Sequence, residues 1–292
     1  MRSLLFVPGD SEKKLEKGLV SGTDVLIVDL EDSVAPERKA IARQTAGEFL
    51  AAQRGKPGPR LFVRVNELDG GMTDDDLAAV IAAAPAGIML PKCAGADDVM
   101  RLSVKLRVHE AEAGVEDGAT KIIPLITETA RALLVAPTIR EPMPRVVGVT
   151  WGAEDLSADI GARETRDERG RYTDVFRHAR LMTVLAASAA QAAPIDTVFV
   201  DFRAMDALAA ECAEAERDGF TGKMAIHPAQ VPVINDAFTP SGDAIAQARA
   251  VVTAFADAGN AGVVGIAGKM YDRPHLRRAE RLLARAAAAG LS

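Results

Sequence analysis

Eight short apolar runs, separated by stretches with helical periodicity, constrain this chain more than any other feature. The runs cover residues 3–7, 25–29, 61–65, 87–90, 121–126, 146–150, 197–200 and 223–226. Helical patterns fill 35–53, 74–84, 96–113, 175–192 and 205–218. Runs this short and apolar suit strands buried on both faces, as parallel sheets require. Eight of them alternating with helices predict an α/β fold, a (β/α)8 barrel. The rival is an open doubly wound sheet, but no glycine-rich phosphate fingerprint follows any run. A chain of 292 residues accommodates one such barrel with an appendage, or two domains.

The residues that follow each run carry the functional signal. The first run leads into Pro8-Gly9-Asp10 and then Lys13, Lys14 and Lys17. The second ends in Asp29-Leu30-Glu31-Asp32, and the third carries Arg64 and Asn66. The fourth leads to Pro91-Lys92, and the fifth to Thr127-Glu128-Thr129. The sixth turns through Trp151-Gly152-Ala153 into Glu154 and Asp155. The seventh gives Asp201, and the eighth His227-Pro228. In a barrel all these positions converge on the face where active sites are built. A solvated surface has no reason to place acids and cations so regularly at strand ends, so the pattern points to an enzyme. For the sixth loop there is a competing reading, in which Asp155 or Ser157 caps a short helix running through Asp159.

Composition narrows the classes. Hydrophobic residues make up 48% and charged residues 26%, enough to bury a sizeable core. A net charge of −6 offers no basic surface for nucleic acid or an anionic membrane. Cys93 and Cys212 lie far apart without metal-ligand spacing, fit a reducing compartment and read as small buried apolar residues. The run at 3–7 is too short for the apolar region of a signal peptide, and no apolar stretch approaches transmembrane length. The expected location is the cytoplasm.

Glu128 and Asp155 stand one βα unit apart, each just after a strand. Two carboxylates so placed can share a divalent cation, Mg2+ or Mn2+, and leave positions open for substrate oxygens and water. The alternative is a pair of ordinary surface acids. No His or Cys cluster supports zinc. Arg64 suits a bidentate grip on a carboxylate. It equally suits an internal salt bridge to the Asp29/Glu31/Asp32 cluster, and the two roles are compatible. A cation, a carboxylate clamp and an acid cluster together suit a 2-oxo or 2-hydroxy acid chelated to metal. Lys13 and Lys17, four apart on a helix, share a face that can grip phosphates or simply meet solvent. Lys92 admits Schiff-base aldolase chemistry. His227 can donate to substrate or orient the last βα loop, and Trp151 reads as packing.

After about Phe238 the pattern changes. Thr239-Pro240-Ser241-Gly242 reads as a linker that caps the next helix, which runs to about Ala258. A glycine-punctuated segment at 259–265 follows, then Gly268-Lys269-Met270-Tyr271-Asp272-Arg273-Pro274-His275 and a last helix to Ala289. The expected division is a catalytic barrel at 1–238 and an extension at 239–292.

Several pieces occur together in family order: Arg2-Ser3-Leu4-Leu5-Phe6-Val7-Pro8-Gly9, Asp29-Leu30-Glu31-Asp32-Ser33-Val34, Arg64-Val65-Asn66, Leu90-Pro91-Lys92, Glu128-Thr129-Ala130, Trp151-Gly152-Ala153-Glu154-Asp155-Leu156 and Gly222-Lys223-Met224-Ala225-Ile226-His227-Pro228. In these the chain resembles the HpcH/HpaI aldolase and citrate lyase β-subunit family, in its CitE-like branch with malyl-CoA and citramalyl-CoA lyases. The resemblance implies a TIM barrel with a C-terminal helical lid extension and a Mg2+ ion held by Glu128 and Asp155. It implies that Arg64 binds the substrate's carboxylate end and takes part in catalysis. It also implies that Phe6, Lys13 and Lys17 contact coenzyme A, and that Ile226 and His227 contact substrate.

The stretch Met270-Tyr271-Asp272-Arg273-Pro274-His275 looks like the lid motif of the CoA-ester lyases. In those enzymes its aspartate, here Asp272, serves as the catalytic acid/base in the site of an adjacent subunit. The implied assembly is a homotrimer or hexamer. The implied reaction is reversible carbon–carbon cleavage of a malyl-CoA or citramalyl-CoA type substrate to acetyl-CoA and a 2-oxo acid. A retained lid favours a stand-alone lyase over a citrate lyase β subunit. A malyl-CoA thioesterase and a non-catalytic CoA-binding scaffold are the further alternatives.

Overall fold

A computed structural model describes residues 1–259 and 261–291; Asn260, in the glycine-punctuated segment, and Ser292 lie outside the described residues. The chain divides into two compact units, Met1–Asn235 and Asp236–Ser292.

The first unit begins β1 (Ser3–Pro8), α1 (Glu12–Leu19), β2 (Val25–Asp29), α2 (Lys39–Gln53), β3 (Arg60–Arg64), α3 (Thr73–Val80), β4 (Gly87–Leu90) and α4 (Ala96–Ala113). It continues through β5 (Lys121–Pro124), α5 (Ala130–Val135), β6 (Gly148–Val149), α6 (Ala153–Ile160), α7 (Asp174–Ala189), β7 (Ala193–Asp196), α8 (Met205–Asp218) and β8 (Gly222–Ala225). A further helix, α9 (Gln230–Phe238), runs across the boundary between the units. The strands order as β5-β4-β3-β2-β1-β8-β7-β6, and every pairing is parallel. Parallel bridges from Ile122 to Val146 and from Leu125 to Thr150 join β5 to β6 and close the ring. The result is the expected (β/α)8 barrel.

Side chains fill the barrel. Leu4, Val25, Ile27, Phe62, Met89, Ile123, Leu125, Ile195 and Met224 form one buried cluster, with Phe6 packed against it. Alternation along each strand sends one set of residues inward and the other toward the helices. The outer helices bury stripes at helical spacing, such as Val99, Leu102 and Leu106 on α4. Gly87 makes room for the largest inward side chain. A Cβ there would fall 2.3 Å from Phe62 Cε1 and 2.6 Å from the Lys121 carbonyl oxygen.

The seventh strand differs from expectation. It occupies Ala193–Asp196, not 197–200. Pro194 argues against a strand in the sequence because it lacks a donor. Here it keeps its acceptor role, its carbonyl taking the Thr221 N–H at 2.9 Å. Asp201, expected at the end of that strand, is instead an exposed loop residue, and buried Asp196 holds the strand end. The sixth strand is shorter than the apolar run at 146–150, with only Gly148–Val149 in regular pairing and isolated bridges on either side.

The second unit contains α10 (Gly242–Asp257), β9 (Val263–Ile266), β10 (Lys269–Asp272) and α11 (Arg273–Ala288). The two strands form an antiparallel hairpin where the sequence shows a glycine-punctuated segment and the stretch 268–275. Short four-residue runs with one buried face give too weak an alternation to read alone. Ala248, Val251, Phe255, Val264, Leu276 and Ala279 form this unit's own core. Ser241 caps α10 through its side chain, as expected, accepting the Ala244 N–H at 3.2 Å.

Candidate active site

The charged residues at the C-terminal ends of β2 to β6 form one connected cluster. Arg64, at the end of β3, is its hub. Its Nε and Nη2 each donate to Asp29 at 2.7 Å, one to each carboxylate oxygen. Its Nη1 lies 2.9 Å from Glu31 Oε2 and 3.7 Å from Asp32. The guanidinium carbon sits 4.8 Å from the centroid of the Phe6 ring. The internal salt bridge is therefore realised. Burial works against the charge on Arg64, but Asp29 and Glu31 outweigh it and lock the guanidinium in its protonated form. Burial also opposes ionisation of Asp29, and Arg64 overrides it, so Asp29 stays below the ordinary carboxylate range.

Lys92 bridges this group to the next strands. Its ammonium donates to Glu31 Oε1 at 2.6 Å and stands 3.4 Å from Asp155 Oδ1. Its own N–H donates to Glu128 Oε2 at 2.6 Å. Lys92 makes that donation from a left-handed backbone, with φ at 49°, uncommon for a residue with a side chain. Burial lowers the affinity of Lys92 for its proton, yet Glu31 and Asp155 raise it above the ordinary lysine value. An ammonium held protonated is a poor amine nucleophile, so the Schiff-base reading finds no support in this geometry.

Glu128 is 2% exposed. Burial, then the charges of Asp155 and Glu31, push its carboxyl up to about 8. Glu31 follows the same logic: burial drives it up to about 7 against the pull of Arg64 and Lys92. Asp155 lies in the first turn of α6, whose cap position is Gly152. Neither Asp155 nor Ser157 caps that helix; the Ser157 hydroxyl donates to the Glu154 carbonyl at 2.7 Å. A Cβ on Gly152 would lie 2.8 Å from Glu128 Cγ and 2.9 Å from its Oε1, so the loop glycine lets the chain pass flush against this carboxylate.

Backbone placement is set from behind. Lys39 Nζ donates to the carbonyls of Leu30 and Glu31 and to Asn66 Oδ1 at 2.7 to 2.8 Å. The Asn66 amide donates to the Leu30 carbonyl and to buried Asp76. Lys39 and Asp76 carry no motif in the sequence. Their only signal is a lysine on one face of α2 and a carboxylate on the buried face of α3, both needing partners.

The remaining expected residues lie outside this chain of contacts. Lys13 and Lys17 are exposed on α1. Ile226 is 40% exposed just past β8, and the exposed His227 stacks on Phe202 with centroids 4.9 Å apart. Buried Gln230 fixes both: its Oε1 accepts from the Ile226 and His227 N–H groups. Asp272 belongs to the second unit, where it caps α11. Its Oδ1 lies 2.5 Å from His275 Nδ1, and the hydrogen bond from that imidazole holds its carboxyl below the ordinary range.

A closed parallel barrel with a charged, partly strained cluster at its C-terminal face is the architecture of a barrel enzyme. Residues 2–228 match the model of the HpcH/HpaI aldolase/citrate lyase family, and the chain belongs to that family. Among its relatives is the citrate lyase subunit beta-like protein of Mycobacterium tuberculosis, 36% identical over 97% of this chain and 94% of that one. The mitochondrial citramalyl-CoA lyase of Rattus norvegicus is 33% identical over 97% of this chain and 85% of its own. The crystal structure of CitE from M. tuberculosis in complex with magnesium, acetoacetate and coenzyme A superposes with a TM-score of 0.76. It is 34% identical, and the match covers 98% of this chain and all of that one.

Proposed function

We propose that this protein is a Mg2+-dependent CoA-ester lyase that cleaves a malyl-CoA or citramalyl-CoA type substrate to acetyl-CoA and a 2-oxo acid. The observation that carries the reading is the uncompensated charge at the site. Five carboxylates, Asp29, Glu31, Asp32, Glu128 and Asp155, gather around two cations, Arg64 and Lys92. Burial first, and then this repulsion, raises Glu128, and a crowd of carboxylates suits a bound divalent cation. Among the described residues no three His, Cys, Asp or Glu side chains form a ready metal cluster. Glu128 and Asp155 would hold the ion as a pair, leaving positions for substrate oxygens and water.

When bound, Mg2+ supplies Lewis-acid polarisation of the oxygens of the oxo or hydroxy acid. Arg64, pinned by Asp29 and backed by Phe6, presents its remaining N–H groups to the substrate carboxylate. Lys92 holds the backbone amide against Glu128 and keeps that carboxylate in place. In cleavage the hydroxyl proton leaves to a base, the carbon–carbon bond breaks, and the acetyl-CoA enolate takes a proton. Asp272 of a neighbouring copy would give that proton, and in condensation its carboxylate would remove one from acetyl-CoA. Its depressed carboxyl favours the ionised form that condensation needs. Lys13, Lys17, Ile226 and His227 would meet the CoA and acyl portions. Such a lid acting between copies requires an oligomer, which we assign as a homotrimer or hexamer.

The test is purified protein with Mg2+ against malyl-, citramalyl- and citryl-CoA, with and without EDTA, with oxo acid and free CoA quantified separately. EDTA-sensitive oxo acid appearing with an acyl-CoA is the expected outcome. Free CoA without oxo acid would replace the lyase by a thioesterase. Silence on all three despite Mg2+ binding would point to a carrier-dependent citrate lyase β subunit. Binding of CoA without Mg2+ binding or turnover would leave a non-catalytic CoA-binding scaffold.

A further inference from the structure

Behind the loop after β6 lies a buried charged network that the chemistry above does not use. Lys223, on β8, has no exposed surface. Its Nζ donates to Asp196 Oδ2 at 2.7 Å and to Glu211 Oε1 at 2.8 Å. Asp196, the last residue of β7, is equally buried, and its other oxygen accepts the indole N–H of Trp151 at 2.8 Å. Arg180 approaches that same oxygen at 3.8 Å. Arg166 donates to Glu211 at 2.6 Å and lies 3.8 Å above the Tyr172 ring, which meets Trp151 edge-on at 5.1 Å.

Trp151 is the residue before Gly152. It is fully buried and held by that hydrogen bond on one side and the Tyr172 ring on the other. Gly152 lies flush against Glu128, and α6 starts at the next residue and carries Asp155 in its first turn. A displaced indole would therefore move the wall against one carboxylate and the helix that aims the other. Fold stability alone does not call for this arrangement. Desolvating a lysine and two acids is costly enough that an apolar cluster of the same volume would often be at least as stabilising.

We propose that Asp196, backed by Lys223, is a positioning residue: through the Trp151 indole it sets Gly152 against Glu128 and aims Asp155. The inference rests on reading Glu128 and Asp155 as the Mg2+ pair. Groups hydrogen-bonded directly to a metal ligand change metal affinity by roughly 10–100-fold; Asp196 acts one step further back, through Trp151 and Gly152, so the lower end of that range applies.

The test titrates full-length protein with Mg2+ alone by calorimetry, beside circular-dichroism melts. W151F keeps an aromatic ring in the pocket and removes the donor together with part of the ring volume, so the D196N and D196A pair, which leaves the indole in place, isolates the hydrogen bond. W151F should stay folded, bind Mg2+ about 10-fold or more weakly, and lose kcat with little change in KM for the CoA ester. D196N keeps an acceptor for the indole and should bind Mg2+ more tightly than D196A. Wild-type affinity in folded W151F would overturn the inference. Should W151F not fold, D196N and D196A decide it, and equal Mg2+ affinities would overturn it. E128A separates this from the underlying reading. If wild type binds Mg2+ and E128A does not, the metal pair stands and the Trp151 result judges the network alone. If folded wild type binds no Mg2+, the metal reading fails and the inference falls with it.

Discussion

Two buried glutamates, one at each end of the barrel, are held in opposite ways. Glu110 closes α4 near the strand N-termini and has no exposed surface. Arg145 clamps it with two hydrogen bonds of 2.8 and 2.6 Å, and the N–H groups of Thr120 and Gly118 add two more. Burial opposes ionisation there, but these donors outweigh it and bring the carboxyl down to about 2. Glu128, at the other end, receives one backbone N–H and faces Asp155 and Glu31; burial and those charges carry it up to about 8. The same side chain in the same barrel is a fully paired brace in one place and an under-paired carboxyl in the other. Breaking a matched buried pair is costly because it strands a charge, whereas a perturbed, under-matched carboxyl at a barrel mouth is where we place the metal.

The sharpest way to break this contrast is at the unmatched end. E128Q should abolish EDTA-sensitive cleavage while the metal-free protein melts no lower than wild type, because the change relieves repulsion. A lowered melting temperature with intact turnover would erase the distinction. At the matched end, R145M strands a buried carboxylate and should cost about 3–5 kcal/mol in urea unfolding, leaving the Mg2+ affinity of the folded fraction unchanged.

The pH dependence of stability sharpens the same point. The folded carboxyl of Glu110 lies below the ordinary glutamate value of 4.5, at about 2. Its contribution is therefore complete above the unfolded value and is lost as pH falls through the folded one. That loss amounts to about 3 kcal/mol, and E110Q should remove this acid limb from the stability curve. The smallest effect concerns Asp272. D272N keeps a competent helix cap, so stability should change by no more than about 0.5 kcal/mol. Turnover should nevertheless fall sharply, and an unchanged rate would dismiss Asp272 as the acid/base.

Much of this was legible along the chain. Asp29, Arg64, Lys92, Glu128 and Asp155 each follow an apolar run, and in a parallel barrel that position alone sends them to one end. The hydrophobic runs were legible wherever no residue contradicted them. Pro194 did contradict one, and the seventh strand was set four residues late. The buried set Asp196, Glu211 and Lys223 is hidden in the sequence because its members are far apart, and the stretch 222–228 that contains Lys223 says nothing of its partners. The one available signal was a lysine inside an apolar strand, which demands a buried partner without naming it. Of the two compatible roles open to Arg64 in the sequence, the folded geometry shows the internal pairing with Asp29 and Glu31; the grip on a substrate carboxylate belongs to the proposed function.

Sequence alone determined the alternation of buried strands and helices, the barrel that follows from it, and the residue types delivered to the strand ends. These are local properties, since periodicity and chain order suffice to set them. Tertiary structure decided which charges are neutralised and which are left over. It turned Lys92 into a locked cation, Gly152 into a wall for Glu128, and Trp151 into a link to a buried aspartate. Those outcomes depend on distances between residues far apart in the chain, where burial and neighbouring charge set whether a carboxylate is satisfied.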